Sequence, residues 1–219
     1  FRSLFYDPRR IGLNNYITMF TNDPKFLNSL KITLWFVVFS VPLKLLVALG
    51  LAMLLNQNMR GISLYRTFIY FPSLIGASVA VSILWSNIFG KDGFINQLLG
   101  LFGIEGKSWI SHPDTALGTL VLLVVWQFGS SMVIFLAGLK QIPHELYEAS
   151  AIDGAGGWRR FSKITLPMLS PVLLFNLVLQ TISSFQMFTQ VYIIMKGGPI
   201  DSTYMFALYL YEKAFNRYQ

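Results

Sequence analysis

Residues 28–55 read NSLKITLWFVVFSVPLKLLVALGLAMLL, a run with two lysines, no acidic residue and mostly apolar side chains. A helix needs about 20 mainly apolar residues to cross the hydrocarbon layer of a membrane, and this run has room to spare. Residues 67–89, 116–139 and 169–195 meet the same test. All ten acidic residues lie outside the four stretches, and of the cations only Lys31 and Lys44 lie inside. The whole chain is 54% hydrophobic and 12% charged, against ~25% charged for an ordinary soluble domain. Too few ionic groups remain to cover a water-facing surface, so the partner of that surface is the lipid bilayer. The expected fold is all-α, a polytopic transmembrane helix bundle with four spans in 219 residues.

Several function classes drop out. The formal charge of +7 is scattered through the connections with no run of five Lys or Arg, which argues against nucleic acid. Cysteine is absent, and His112 and His144 stand 32 positions apart, so there is no metal signature. Gly106-Lys107-Ser108 has the ending of a phosphate-binding loop, but Leu101 stands where that pattern needs glycine; Gly154 and Gly156 begin a dinucleotide pattern that Arg159 ends. An integral-membrane enzyme would need an acid–base or metal constellation, and the four stretches hold no Asp, Glu, His or Cys. The chain opens on Phe1 without a signal peptide and closes in mid-pattern, which reads as an internal piece of a longer polypeptide.

Loop charge leaves orientation open. The connections 56–66 and 140–168 carry six basic residues, and the opposite side carries nine over nearly twice the length, Arg2, Arg9 and Arg10 included. Density favours a cytoplasmic 140–168 and the raw count opposes it. Packing signals are clearer: Ser73 with Ala77, Gly76 with Ala80 and Ala48 with Ala52 stand four apart, as small residues do where helix backbones approach closely in lipid. Pro42 and Pro72 are expected to kink or break their helices.

The connection at 141–167 reads QIPHELYEASAIDGAGGWRRFSKITLP. Pro143 suits a first helical position, and Glu145 and Glu148 then fall in the early turns where the positive helix end favours them. Gly154 and Gly156 supply a stop that tolerates positive φ. A short helix, a glycine break and a second short helix closed by Pro167 are expected.

The spacing of Glu148-Ala149-Ser150, Gly154, Ile164 and Leu166-Pro167 resembles the "EAA" loop of bacterial ABC importer permeases. Asp153, Ala155 and Phe161 also fit, while Ser150 stands where the pattern prefers alanine. Leu136-Ala137-Gly138-Leu139, Lys196-Gly197-Gly198-Pro199 and Gly12-Leu13-Asn14-Asn15-Tyr16 resemble the carbohydrate-uptake branch, with the 196–199 segment similar to that of the larger maltose or glycerol-phosphate permease subunit. The resemblance implies six core helices, the first and last missing from this piece. It implies a bacterial inner-membrane transport subunit that is not an enzyme and has no cofactor of its own, ATP and magnesium belonging to a partner. The implied partners are a cytoplasmic ATPase dimer, a second permease subunit, an extracytoplasmic solute-binding protein and a sugar-like solute. Glu148, Ala149, Ser150, Asp153, Gly154, Ala155 and Pro167 are the implied coupling residues to the ATPase. Arg159, Arg160 and Lys163 read first as positive-inside anchors and second as ATPase contacts. Permeases for amino acids or peptides share the loop and are the main rival.

For the solute path, Asn176, Gln180, Ser183, Met187 and Gln190 are spaced by four, three, four and three and share one helical face. They line the path or hydrogen-bond between helices; both readings stand. Trp126 and Ser130, four apart, offer a ring and a hydroxyl to a sugar, with packing the favoured reading for Trp126. Lys44 snorkels, holds a buried partner or lines the path for an anionic solute, the first two being preferred.

Overall fold

The computed structural model describes residues 13–57, 61–76 and 78–216, and no strand occurs among them. Helix α1 (Asn14–Thr21) leads into α2 (Pro24–Leu55) through Asp23. The Asp23 carboxylate accepts from the backbone N–H groups of Lys25 and Phe26 at 3.1 and 3.2 Å, and Pro24 occupies a position where no helical N–H is missed. That end is also tied to the far end of the chain. Lys213 Nζ lies 2.8 Å from Asp23 and the Tyr209 hydroxyl donates to it at 3.0 Å. The Lys213 hydrogen bond, with those from Tyr209 and the Phe26 N–H, holds the Asp23 carboxyl below the usual carboxylate range against the opposing effect of burial.

α2 is the post of the bundle, packed against α6 (Pro113–Trp126), α7 (Gly129–Lys140), α10 (Leu166–Phe185) and α12 (Phe206–Tyr211). Ala48 and Ala52 are fully buried on its inner side, as their spacing predicts, while Trp35, Val38, Phe39 and Leu46 are exposed. An apolar face left open on a helix of this length suits lipid rather than water. Pro42 sits inside α2, and the helix continues through it without a break, as proline in a bundled span can.

The other three stretches are broken. Residues 67–89 form two helices, α3 (Ile62–Ile75) and α4 (Val79–Phe89), with Ser78 restarting the second by accepting from the Val81 N–H at 3.2 Å. Residues 116–139 are divided between α6 and α7, bent by 43° around Gln127 and Phe128. Residues 169–195 are divided at 186–188 between α10 and α11 (Thr189–Ile194). Two described helical runs are long and apolar enough to cross a membrane, Pro24–Leu55 and Gly157–Ile194, and the α6–α7 pair makes a third when taken as one span. Each break falls at a glycine, serine or glutamine that apolar run length does not register, and none falls at Pro42 or Pro72.

Outside the long helices, α5 (Phe94–Leu101) lies between α4 and α6. The connection after α7 folds as α8 (His144–Ile152), α9 (Gly157–Arg160) and a π-helical turn, Phe161–Thr165, that runs into α10. Arg2, Arg9, Arg10, Gly12, Arg60 and Ala77, used in the charge, motif and packing readings, lie outside the described residues.

Candidate functional site

The three breaks meet. The backbone carbonyl of Gly76, between α3 and α4, accepts from the side-chain amide of Gln127 at the α6–α7 bend and from that of Gln190 in α11, the latter at 2.7 Å. The Gly129 N–H at the start of α7 donates to Ser73 Oγ at 2.7 Å. A side chain at Gly76 or Gly129 would collide with these partners, a Cβ at Gly129 falling 2.4 Å from Ser73 Oγ. Irregular backbone in the hydrocarbon zone survives only where protein or a wet cavity satisfies its polar groups, and here glutamine and serine side chains do so.

Beside this junction lies a cavity of about 240 Å³. Its walls include Lys44 of α2, Gln127, Gln180 and Ser183 of α10, and Met187, Thr189 and Gln190 around the last break. Amides and hydroxyls of this kind donate and accept alike, which fits a solute rich in hydroxyl groups. Lys44 is 7% exposed, and among the described residues its side chain has neither a hydrogen bond nor an ion pair. It lines the cavity. A lysine at the centre of a membrane span costs about 2.5–3.5 kcal/mol on insertion scales, so its place needs a reason.

The polar stripe divides. Gln180, Ser183, Met187 and Gln190 line the cavity. Asn176 does not: fully buried, it donates through Nδ2 to the Ser131 carbonyl at 3.3 Å, so it holds α10 to α7. Trp126 and Ser130 are separated by the α6–α7 break, and four-residue spacing therefore no longer puts them on one face. Trp126 packs on Trp85 with ring centroids 6.0 Å apart, Ser130 is exposed, and neither lines the cavity. Gln127 and Thr189 were missed by the sequence reading; a glutamine inside the apolar run 116–139 was the available signal for the first.

The 141–167 connection is a second, separate arrangement. Gly154 has φ +70°, and the Ala155 N–H closes the end of α8 on the Ser150 carbonyl at 2.9 Å. Ser150 and Ala155 are buried, whereas Glu148, Ala149, Asp153 and Pro167 are exposed. Glu148 meets His144 Nδ1 on its own helix at 3.0 Å. The Tyr147 hydroxyl and Thr165 Oγ1, 2.9 Å apart, tie α8 to the turn that leads into α10. Ile152 and Trp158, 88% and 79% exposed, flank the glycines as bare apolar surface.

This pattern of broken apolar helices and a structured polar connection has known counterparts. Residues 33–216 match the family described as binding-protein-dependent transport system inner membrane component. The Bacillus subtilis protein YesP, named as a probable ABC transporter permease, is 55% identical over 219 residues, covering 99% of this chain and 71% of its own length. The lactose transport system permease protein of Rhizobium radiobacter is 38% identical over 210 residues, covering 93% of this chain and 70% of its own. Among solved structures, a bacterial ABC transporter that imports the acidic polysaccharide alginate shares the fold with a TM-score of 0.83 at 20% identity, covering 97% of this chain and 76% of the matched one. The chain belongs to the family of inner-membrane components of binding-protein-dependent transport systems, a transport subunit rather than an enzyme.

Proposed function

We propose that this chain forms one side of the translocation path of an ATP-driven importer for a sugar or related polar solute, and that the cavity at the three breaks is on that path. The observation that carries the reading is the placement of Gln180, Ser183 and Gln190 on one cavity wall between long apolar helices. Small-molecule sites usually measure ~300–1,000 Å³, and this cavity at about 240 Å³ is short of that; a second permease subunit would supply the facing wall. The lactose permease relative supports a sugar as cargo, and the family description supports delivery by a solute-binding protein. In this reading the four apolar stretches are four spans, three of them broken, and the 140–168 connection is cytoplasmic. Glu148, Ala149, Ser150, Asp153, Gly154, Ala155 and Pro167 form the coupling element that docks on a separate ATPase, with Ile152 and Trp158 adding apolar contact.

Gln180→Leu tests the path. Leucine matches glutamine in size and suits an apolar interior, so the assembled complex is expected at normal yield, with uptake per complex reduced about tenfold or more, the scale of one lost hydrogen bond to a bound polar group. Uptake per complex at the wild-type level would remove Gln180 from the path.

A further inference from the structure

Lys44 is the one feature of the cavity that a neutral sugar does not explain. It stands 11 residues before the end of α2, about 16 Å along the helix axis at 1.5 Å per residue, beyond the reach of a lysine side chain. The acidic residues of the chain all lie outside the apolar stretches. Around Lys44, the side chains of Gln180, Ser183, Gln186 and Gln190 that share its cavity are neutral. A buried ammonium with neutral hydrogen-bonding neighbours and no anion among the described residues is a site short of one negative charge. Ionisable groups within membrane spans face cavities and mark substrate routes or counter-ions, and lysine serves carboxylate and phosphate as a point charge with rotatable donors.

We infer that Lys44 supplies the counter-charge for an anionic group on the transported solute, so that the path favours a sugar bearing a carboxylate or a phosphate over its neutral equivalent. The inference rests on the cavity being the path. A glutamine wall reads hydroxyl groups and the ammonium reads the charge; a neutral sugar would leave that ammonium dehydrated without compensation. The competing explanation, a carboxylate reaching in from a neighbouring subunit, makes Lys44 an assembly residue and leaves solute charge irrelevant.

The test uses the complete transporter, with its ATPase, partner permease and solute-binding protein, reconstituted in proteoliposomes. A mixed pool of galactotriose, trigalacturonate and galactose phosphate is offered, and lumenal sugars are read by mass spectrometry. Accumulation of an anionic sugar over galactotriose is expected, trigalacturonate pointing to a carboxylate and galactose phosphate to a phosphate. Lys44→Gln is expected to cut that accumulation about tenfold or more, the scale of one charge-assisted hydrogen bond, and Lys44→Arg to retain most of it. Preference for galactotriose, no accumulation of either anion, or an unchanged ratio in Lys44→Gln would overturn the inference, as would a fall in complex yield with the ratio unchanged. Gln180→Leu run in parallel separates the failures: if it lowers uptake while Lys44→Gln leaves the ratio alone, the path stands and the charge reading falls.

Discussion

The junction at Gly76 and the helix end at Gly154 solve the same problem in different solvents. Both interrupt a helix and leave backbone groups that the helix no longer serves. At Gly76 the carbonyl is buried between long apolar helices and takes two side-chain donors, Gln127 and Gln190. At Gly154 a left-handed φ lets the chain close on the Ser150 carbonyl, and the surroundings are open, with nothing within 4 Å of a Cβ placed there. An interruption inside the bundle therefore consumes polar side chains, and those side chains become a cavity wall. An interruption at its surface costs one glycine and leaves neighbouring side chains free for a partner. Polar residues between spans and apolar residues on an exposed turn are the same kind of signal, each out of place in its own solvent.

The sharpest way to break this comparison is Gly154→Val. A β-branched residue at φ +70° is strained by about 1–2 kcal/mol or more from backbone sterics alone, and the open surroundings exclude a collision as the cause. Recovery of the ATPase in pull-downs and ATP-driven uptake are expected to fall tenfold or more, while the membrane bundle purifies normally. Gly154→Asn should keep most of the coupling, since asparagine tolerates the left-handed region. Full ATPase recovery with the valine variant would separate the turn from docking.

Much of this was legible from residue order. Long apolar stretches give the all-α bundle because run length and charge exclusion depend on composition alone. The glycine stop at Gly154 follows from local chemistry in the same way. Breaks are less visible: Gln127 and Phe128 interrupt the run 116–139 without lowering its apolar character much, so the four-residue spacing of Trp126 and Ser130 spans a bend rather than one helical turn. The polar stripe shows the limit of periodicity. Asn176 and Gln180 are four apart on continuous α10 and both are buried, yet one meets the Ser131 carbonyl and the other a cavity. What stands opposite a residue is set by neighbouring helices, which its own spacing does not encode. Lys44 is the clearest instance, because only the positions of α10 and α11 turn it from an awkward lysine into a cavity wall.

A middle-sized effect sharpens the other side of the comparison. Gln127→Leu and Gln190→Leu each leave the Gly76 carbonyl one donor, and each is expected to lower stability by about 0.6 kcal/mol, the average for a hydrogen bond between membrane helices. The double variant leaves a buried carbonyl with no donor, so its loss should exceed the sum of the singles by about 1–3 kcal/mol. Thermal unfolding of the purified complex in detergent gives the cycle. Simple additivity would mean that water, rather than the two glutamines, serves the break.

The smallest expected effect concerns a third helix end, the start of α2, where a side chain at the bundle surface does what glycine does at α8. Asp23 caps α2 and binds Lys213 and Tyr209, and its carboxyl is held below the usual range chiefly by the Lys213 hydrogen bond. A carboxylate whose folded value lies below its unfolded value of ~3.9 contributes its full stability above that unfolded value and loses it as pH falls through the folded value. Melting temperature should therefore be insensitive to this group from pH 7 to about pH 5 and should decline in more acidic buffer. Asp23→Asn should melt lower than wild type at neutral pH, because the ion pair and the charged cap are gone, and the two proteins should converge in acid. The decline should be modest, since a cap is worth ~1 kcal/mol and an ion pair near the surface ~0–1 kcal/mol. A gap between the two proteins that stays constant from neutral to acidic pH would show that the shape of the asparagine side chain, rather than the carboxylate charge, governs this helix end.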